Sequence, residues 1–168
     1  RSDNLIGLWS CLLFVGGFSH APNLDGILWF LTSIFPMIRE KIPDIPLTVV
    51  GPNPPQDLLC HQSDSVNIRG HVSESELSRL YRCSRIMVAP LRFGAGVKGK
   101  IVDAFNAGLP VVTTSVGAEG MDGVESFTAV CDSESHFAQS VVDLYLDKQR
   151  QSEMGDKSVR YTNQNFSI

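Results

Sequence analysis

The sequence predicts an α/β domain built on a doubly wound parallel sheet, with helices on both faces. Three observations carry that expectation. Apolar runs of four to five residues alternate along the chain with longer segments of helical periodicity. The short runs are apolar throughout, as strands covered on both faces must be. Glycine- or proline-containing turns follow the runs, at "GGFSH", "GPNPP" and "PLRFGAG".

Each element follows in order. "CLLFVGG" (11–17) reads as a buried strand ending in two glycines. Residues 22–40 carry a helical stripe of Leu24, Ile27, Leu28, Leu31, Ile34 and Phe35. "LTVVG" (47–51) is a second strand, closed by the turn "PNPP", and "SVNIRG" (65–70) is a third. "SESELSRLYRC" opens with a capping box, Ser73 to Glu76, and makes a helix. "RIMVAP" (85–90) is the fourth strand, followed by a glycine-rich loop and a helix near 97–107. "PVVTT" (110–114) and "FTAV" (127–130) are the fifth and sixth strands, and Ser133 caps a helix over 134–148. The polar tail beyond is expected either to fold back or to be disordered. The pattern is Rossmann-like. In such sheets ligands bind beyond the carboxyl ends of the strands, which singles out the loops 16–22, 51–56, 90–97 and 114–120.

Composition narrows the function classes. At 168 residues the chain suits one domain, or one half of a two-domain enzyme, and a chain of this size buries roughly 70% of its unfolded surface. The composition is 43% hydrophobic and 19% charged, with a net charge of −4 and no long basic run, which argues against nucleic acid as the main partner. No apolar stretch reaches the ~20 residues of a membrane span. No signal peptide is visible, no membrane partner is assigned, and the start at Arg1 reads as a piece of a longer protein. Cys11, Cys83 and Cys131 lie in or beside apolar runs, and Cys60-His61 is a lone neighbour pair. Reduced thiols in a cytoplasmic chain, with no metal site, are expected.

The stretch "PLRFGAGVKGKIVDAFNAG" (90–108) admits three readings. As a P-loop, Gly94 to Lys100 matches G-x-x-x-x-G-K, but the hydroxyl needed after the lysine is Ile101. As a dinucleotide fingerprint, Gly94, Gly96 and Gly99 match G-x-G-x-x-G. They follow the fourth strand and not the first, and the acid expected ~20 residues on would be Glu119, beyond the next strand. The third reading keeps only the physics. Glycines allow close backbone approach, a helix N-terminus presents free N–H groups, and Arg92, Lys98 and Lys100 add positive charge. That combination suits a diphosphate without a required metal. A plain tight turn with solvated lysines is the alternative. Val97, Ile101, Ala104, Phe105 and Gly108 form the stripe expected to face the sheet. Lys100 and Asp103, three apart, are either a simple pair or divide a nucleotide between phosphate and ribose.

"FVGGFSHAPNLDGILWF", "VVGPNPP" and "GHVSESELSRLYRCSRIMVAPLRFGAGVKGKIVDAFNAGLPVVTTSVGAEGM" together resemble the C-terminal, donor-binding domain of GT-B-fold glycosyltransferases, close to family 4, over about residues 12–131. The resemblance implies that residues 1–168 are one nucleotide-sugar-binding domain of a two-domain enzyme. The missing N-terminal domain would bind the acceptor. The enzyme would move a sugar from a nucleoside diphosphate to an acceptor hydroxyl, with retention and without a cofactor or metal.

The resemblance places the donor diphosphate at Gly16, Gly17, Arg92, Gly96, Val97, Lys98, Gly99 and Lys100. It places the ribose at Asp103, the nucleobase at Val72, and the sugar at Phe93, Gly94, Ala95 and Glu119. Two positions depart from the family pattern. Ala95 stands where the first acid of Glu-x₇-Glu belongs, and Asp103 replaces its second glutamate. The first-strand loop also lacks the arginine and lysine of many relatives, so the cations of residues 92–100 must serve. A G-x-G-x-x-x-K subset of the family resembles this arrangement.

His20, in the first strand's C-terminal loop, either orients sugar or phosphate or is a surface cap. Trp29, Phe30 and Phe35 are read as core or interdomain packing, and Glu74, Glu76 and Arg79 as a solvated helix face. His61, His71 and His136 are given no role. Two alternatives remain: a degenerate, non-catalytic nucleotide- or partner-binding module, and an NAD-dependent oxidoreductase.

Overall fold

The computed structural model of the protein describes residues 9–166. Among them six parallel strands form one sheet: β1 (Leu12–Val15), β2 (Leu47–Val50), β3 (Val66–Ile68), β4 (Ile86–Ala89), β5 (Val111–Thr113) and β6 (Ala129–Val130). The order across the sheet is β3-β2-β1-β4-β5-β6. All six predicted strands are present, each shorter than its apolar run. β6 is the most reduced, because a 3₁₀ turn at Val124–Ser126 precedes it and Phe127 turns inward to meet the Phe105 ring edge-on at 5.4 Å.

The first helical stretch is broken in a way that periodicity does not register. It consists of α1 (Ala21–Trp29), a π-helical turn (Phe30–Ile34) and α2 (Phe35–Lys41). Pro36 has no N–H, and its ring would crowd a regular α-helical turn. The widened turn, in which the Phe35 N–H bonds back to the Phe30 carbonyl, lets the chain continue through it. The helix α3 (Gln56–Leu59) is a single turn. In α4 (Glu74–Cys83) the Ser73 hydroxyl accepts from the Glu76 amide, the donor half of the predicted capping box. Then come α5 (Gly99–Asn106), α6 (Glu134–Tyr145) and α7 (Lys148–Asn165).

Strand alternation splits the core in two. Leu12 and Phe14 face one side, where Ile27, Phe30, Ile34 and Ile38 of the first helical stretch and Phe137 and Val141 of α6 cover them. Leu13 faces the other, under Leu80 and Tyr81 of α4 and Ile101, Ala104 and Phe105 of α5. The aromatic set is internal core. Phe30 lies 5.6 Å from Phe35 and 6.1 Å from Phe137, and the Trp29 indole donates to Glu134 at 3.0 Å. No disulfide joins the four cysteines, and burial pushes the Cys11 and Cys131 thiols up. No helix among the described residues is long and apolar enough to cross a membrane. Among the same residues no group of three or more His, Cys, Asp or Glu side chains could hold a metal ion.

The polar tail folds back as α7 and closes over α5. Its contact is a glycine pair: a Cβ at Gly155 would sit 2.5 Å from the Gly108 carbonyl oxygen. Further along, Tyr161 stands 5.4 Å from the Phe127 ring, and its hydroxyl donates to the Asp122 carbonyl at 3.0 Å. The buried hydroxyls Ser158 and Thr162 are satisfied by the Met154 and Val159 carbonyls. Helix propensity alone would make Gly155→Ala stabilising by about 1 kcal/mol. The backbone clash reverses the sign. Gly155→Ala is expected to destabilise the fold by about 1–3 kcal/mol, seen as a Tm several degrees lower in a thermal melt.

Candidate functional site

The strand order reverses between β1 and β4. The helix after β1 covers one face of the sheet and the helix after β4 covers the other, so the two strand tips diverge and leave a crevice. A cleft of about 410 Å³ opens there. Its floor is the end of β1 with the turn after it, Val15, Gly16 and Gly17, and the end of β2 with its turn, Val50, Gly51 and Pro52. Its far wall is His71, Val72, Glu74 and Leu77, from the loop into α4 and its first turns. Asn23 and Lys100 complete it.

Glycine is required at Gly51 by close packing. A Cβ there would lie 1.7 Å from the Gly16 carbonyl oxygen, so the tips of β1 and β2 touch through bare backbone. At Gly17 a Cβ would meet nothing within 4 Å, which leaves that residue open to the cleft. On the other face, Gly26 of α1 sits against the Pro90 carbonyl, where a Cβ would come within 2.6 Å. That contact brings the start of α1 beside the loop after β4.

Lys100, in the first turn of α5, reaches across this gap. Its ammonium donates to Oδ1 of Asn23, which belongs to α1 on the opposite face, and lies 5.3 Å from the Phe14 ring. The Asn23 amide in turn donates to the Gly17 carbonyl at 3.0 Å. Lys100 is half-buried, and its pKa is lowered to about 8, first by burial and then by the charge of Lys98. Of the two readings of Lys100 and Asp103, the simple local pair is not formed. Asp103 is exposed one turn further along α5 and does not line the cleft, and shielding by the surrounding protein raises its pKa.

The glycine-rich loop stands beside the cleft on the same rim. Gly94 and Gly96 have φ of 114° and 87°, which side chains rarely tolerate. Lys98 is the cap residue before α5, and its side chain turns back to donate to the Gly94 and Gly96 carbonyls. Glu119 lies 4.0 Å from that ammonium, so Lys98 clips the loop to the 114–120 segment. Val97 falls outside the helical stripe predicted for it. The helix begins two residues later, and Val97 is 45% exposed. Phe93 is 48% exposed. Ala95, Gly96 and Gly99 are exposed as well. Arg92 points elsewhere: it grips Asp25 through two hydrogen bonds of 2.9 and 2.6 Å and lies 5.1 Å over the Trp29 ring. His20 is the exposed cap residue of α1 and makes no side-chain cap bond.

Of the residues the sequence pointed to, the cleft gathers Gly16, Gly17, Val72 and Lys100; Arg92, Phe93–Gly99, Asp103, His20 and Glu119 lie outside its lining. Sequence reasoning missed Asn23 and Glu74. Asn23 lies one residue past the 16–22 loop that the sequence singled out, in the first turn of α1. Glu74 was assigned to a solvated face; it is exposed, but it also lines the cleft. Its neighbour Glu76 is taken up by Arg79 and Arg69, which pull its pKa down to about 2. The P-loop reading ends at Ile101, which is fully buried against the sheet.

Residues 10–147 match the family described as glycosyl transferases group 1. The chain belongs to that family. It is 34% identical over 116 residues to an uncharacterized 44.6 kDa protein in the cps region of Klebsiella pneumoniae, covering 65% of this chain and 30% of that protein. It superimposes on S. aureus TarM, in a structure with fondaparinux, alpha-GlcNAc-glycerol and UDP. The TM-score is 0.78 at 12% identity, over 94% of this chain and 33% of TarM. It also superimposes on the C-terminal domain of the group 1 family protein LpcC from Francisella tularensis. There the TM-score is 0.71 at 15% identity, over 94% of this chain and 86% of that one. The chain thus spans about a third of the Klebsiella protein and of TarM.

The group 1 domain carries a built-in cost at Lys100. A lysine whose folded pKa lies below its unfolded value binds fewer protons in the native state between those two values. Stability therefore rises with pH from about 8 toward 10.5, and below about 8 the penalty is present in full. Lys100→Met is expected to raise stability by about 1–3 kcal/mol at pH 7. That advantage should shrink as pH climbs through 8 to 10, measured as the difference in Tm between the two proteins across that range.

Proposed function

We propose that the cleft at the β1/β4 divide holds the nucleoside diphosphate of a nucleotide-sugar donor. The complete protein would then transfer the sugar to an acceptor hydroxyl, in the manner of a family 4-like, retaining glycosyltransferase. One observation carries this reading: a single half-buried ammonium, Lys100, is held over two glycine turns at the switch point of the sheet, with the N-terminus of α5 behind it. Bare amides and one poorly solvated cation suit a diphosphate. The volume of about 410 Å³ falls in the range of small-ligand sites.

The chemistry needed is stabilisation of the negative charge that develops on the departing diphosphate as the glycosidic bond breaks. Gly17, Lys100 and the amides at the start of α5 would serve that, without a metal in the scheme, while Gly16, whose own N–H donates to the Val50 carbonyl at 2.9 Å, would only let the chain approach closely. Val72, with His71 and Glu74, borders the nucleobase end. From outside the cleft lining, Asp103 would accept from the ribose hydroxyls, and Phe93, Gly94, Ala95, His20 and Glu119 would surround the sugar. The acceptor would come from a separate N-terminal domain. The coverage of the LpcC C-terminal domain supports reading this chain as the donor-binding half. Four cysteines with no disulfide between them suit a cytoplasmic setting.

Calorimetry against UDP, GDP, ADP and NAD tests the reading. One nucleoside diphosphate is expected to bind saturably and in preference to NAD, with Lys100→Ala weakening it tenfold or more. Only the protonated lysine attracts the diphosphate, so affinity should be level below pH 8 and fall by up to about tenfold per pH unit above it. Saturable binding of none of the three diphosphates would leave the degenerate partner-binding module, with Ala95 in place of an acid, as the better account.

A further inference from the structure

The turn after β1 faces the proposed diphosphate, yet between Gly16 and Asn23 it carries no lysine or arginine. Its positive charge comes from 77 residues away in sequence, on α5. What brings it there is Asn23. This side chain is 8% exposed, and its two amide ends have different partners. The Gly17 carbonyl can only accept and the Lys100 ammonium can only donate, so the orientation of the amide is dictated by its neighbours. The fit is tight as well, since a Cβ at Gly16 would lie 3.0 Å from Asn23 Cβ and Cγ. An aspartate could hold the lysine but could not donate to Gly17, and a leucine could do neither.

We propose that Asn23 is a positioning residue for the donor diphosphate: anchored by its bond to the Gly17 carbonyl, it delivers Lys100 from α5 to the glycine turn after β1. The inference rests on the cleft being a nucleoside diphosphate site. Other charged or titratable groups near the lysine are Lys98, whose charge acts on it, and Glu74 and His71 across the cleft. Asn23 is the side chain that bonds it.

The test is a double-mutant cycle on whichever of UDP, GDP or ADP binds the protein, read by calorimetry from pH 6.5 to 9.5. Asn23→Ala is expected to weaken binding about tenfold in the wild-type background and to have little further effect beside Lys100→Met. A merely structural role for Asn23 would cost affinity equally in both backgrounds, and that result overturns the proposal. Asn23→Asp, close to isosteric, places a carboxylate against the ammonium. It should weaken binding and move the pH at which affinity begins to fall upward by a unit or more. If Asn23→Ala does not fold, Asn23→Asp decides alone. Wild-type affinity with an unmoved pH limit in Asn23→Asp would overturn the positioning role and leave the donor site standing. Absence of binding by the wild-type protein would remove both.

Discussion

The fold is organised by the reversal of strand order between β1 and β4. Every other consequence in the site follows from where the next helix can go. After β1 the chain must pack one face of the sheet, and after β4 the opposite face, so the two helices part above the strand tips. The resulting gap is bridged above the strand tips by the bond between Asn23 of one layer and Lys100 of the other, beside the Arg92–Asp25 pair. The glycine contacts at Gly16–Gly51 and Gly26–Pro90 set the spacing that makes this bond possible, since a Cβ at Gly51 would part the tips of β1 and β2 and one at Gly26 would lift α1 from the loop after β4.

Much of the fold was legible in the sequence because burial on both faces leaves little choice: continuous apolar runs of strand length, separated by helical stripes, have few other solutions. Strand existence and order along the chain came through, and so did the Ser73 and Ser133 caps, whose hydroxyls accept from Glu76 and His136. Three things did not. Pro36 forces a π turn that a 3.6-residue period cannot represent. The tail is a helix held mainly by a glycine–glycine contact and a few buried residues, so its polar composition masked it. In the site, the lysine and the glycine turns were found by type and spacing. Their partner was not, because the value of Asn23 lies wholly in a contact 77 residues distant.

The same letters carry different chemistry at different places in the fold. G-x-G-x-x-G after a first strand would face a dinucleotide; here the glycines follow β4, and the place after β1 is taken by Gly16-Gly17. The positive φ at Gly94 and Gly96 serves the loop's own closure, in which Lys98 caps its carbonyls. A glycine motif therefore reports a backbone conformation first, and a ligand only through the strand it follows.

That closure has an electrostatic consequence. Three cations lie within nine residues of one another, at Arg92, Lys98 and Lys100. Arg92 is neutralised by Asp25, and Lys98 is turned onto its own loop with Glu119 nearby. Lys100 alone faces the cleft, and it is the one whose pKa burial lowers. Its charge is weakly screened because Phe14 and the sheet lie beneath it, which strengthens its pull on an anion and raises the cost of keeping it charged without one. A bound diphosphate would lift that cost. On the proposed reading, stability and anion affinity would depend in opposite senses on one ammonium group, and both would change together when that group loses its proton.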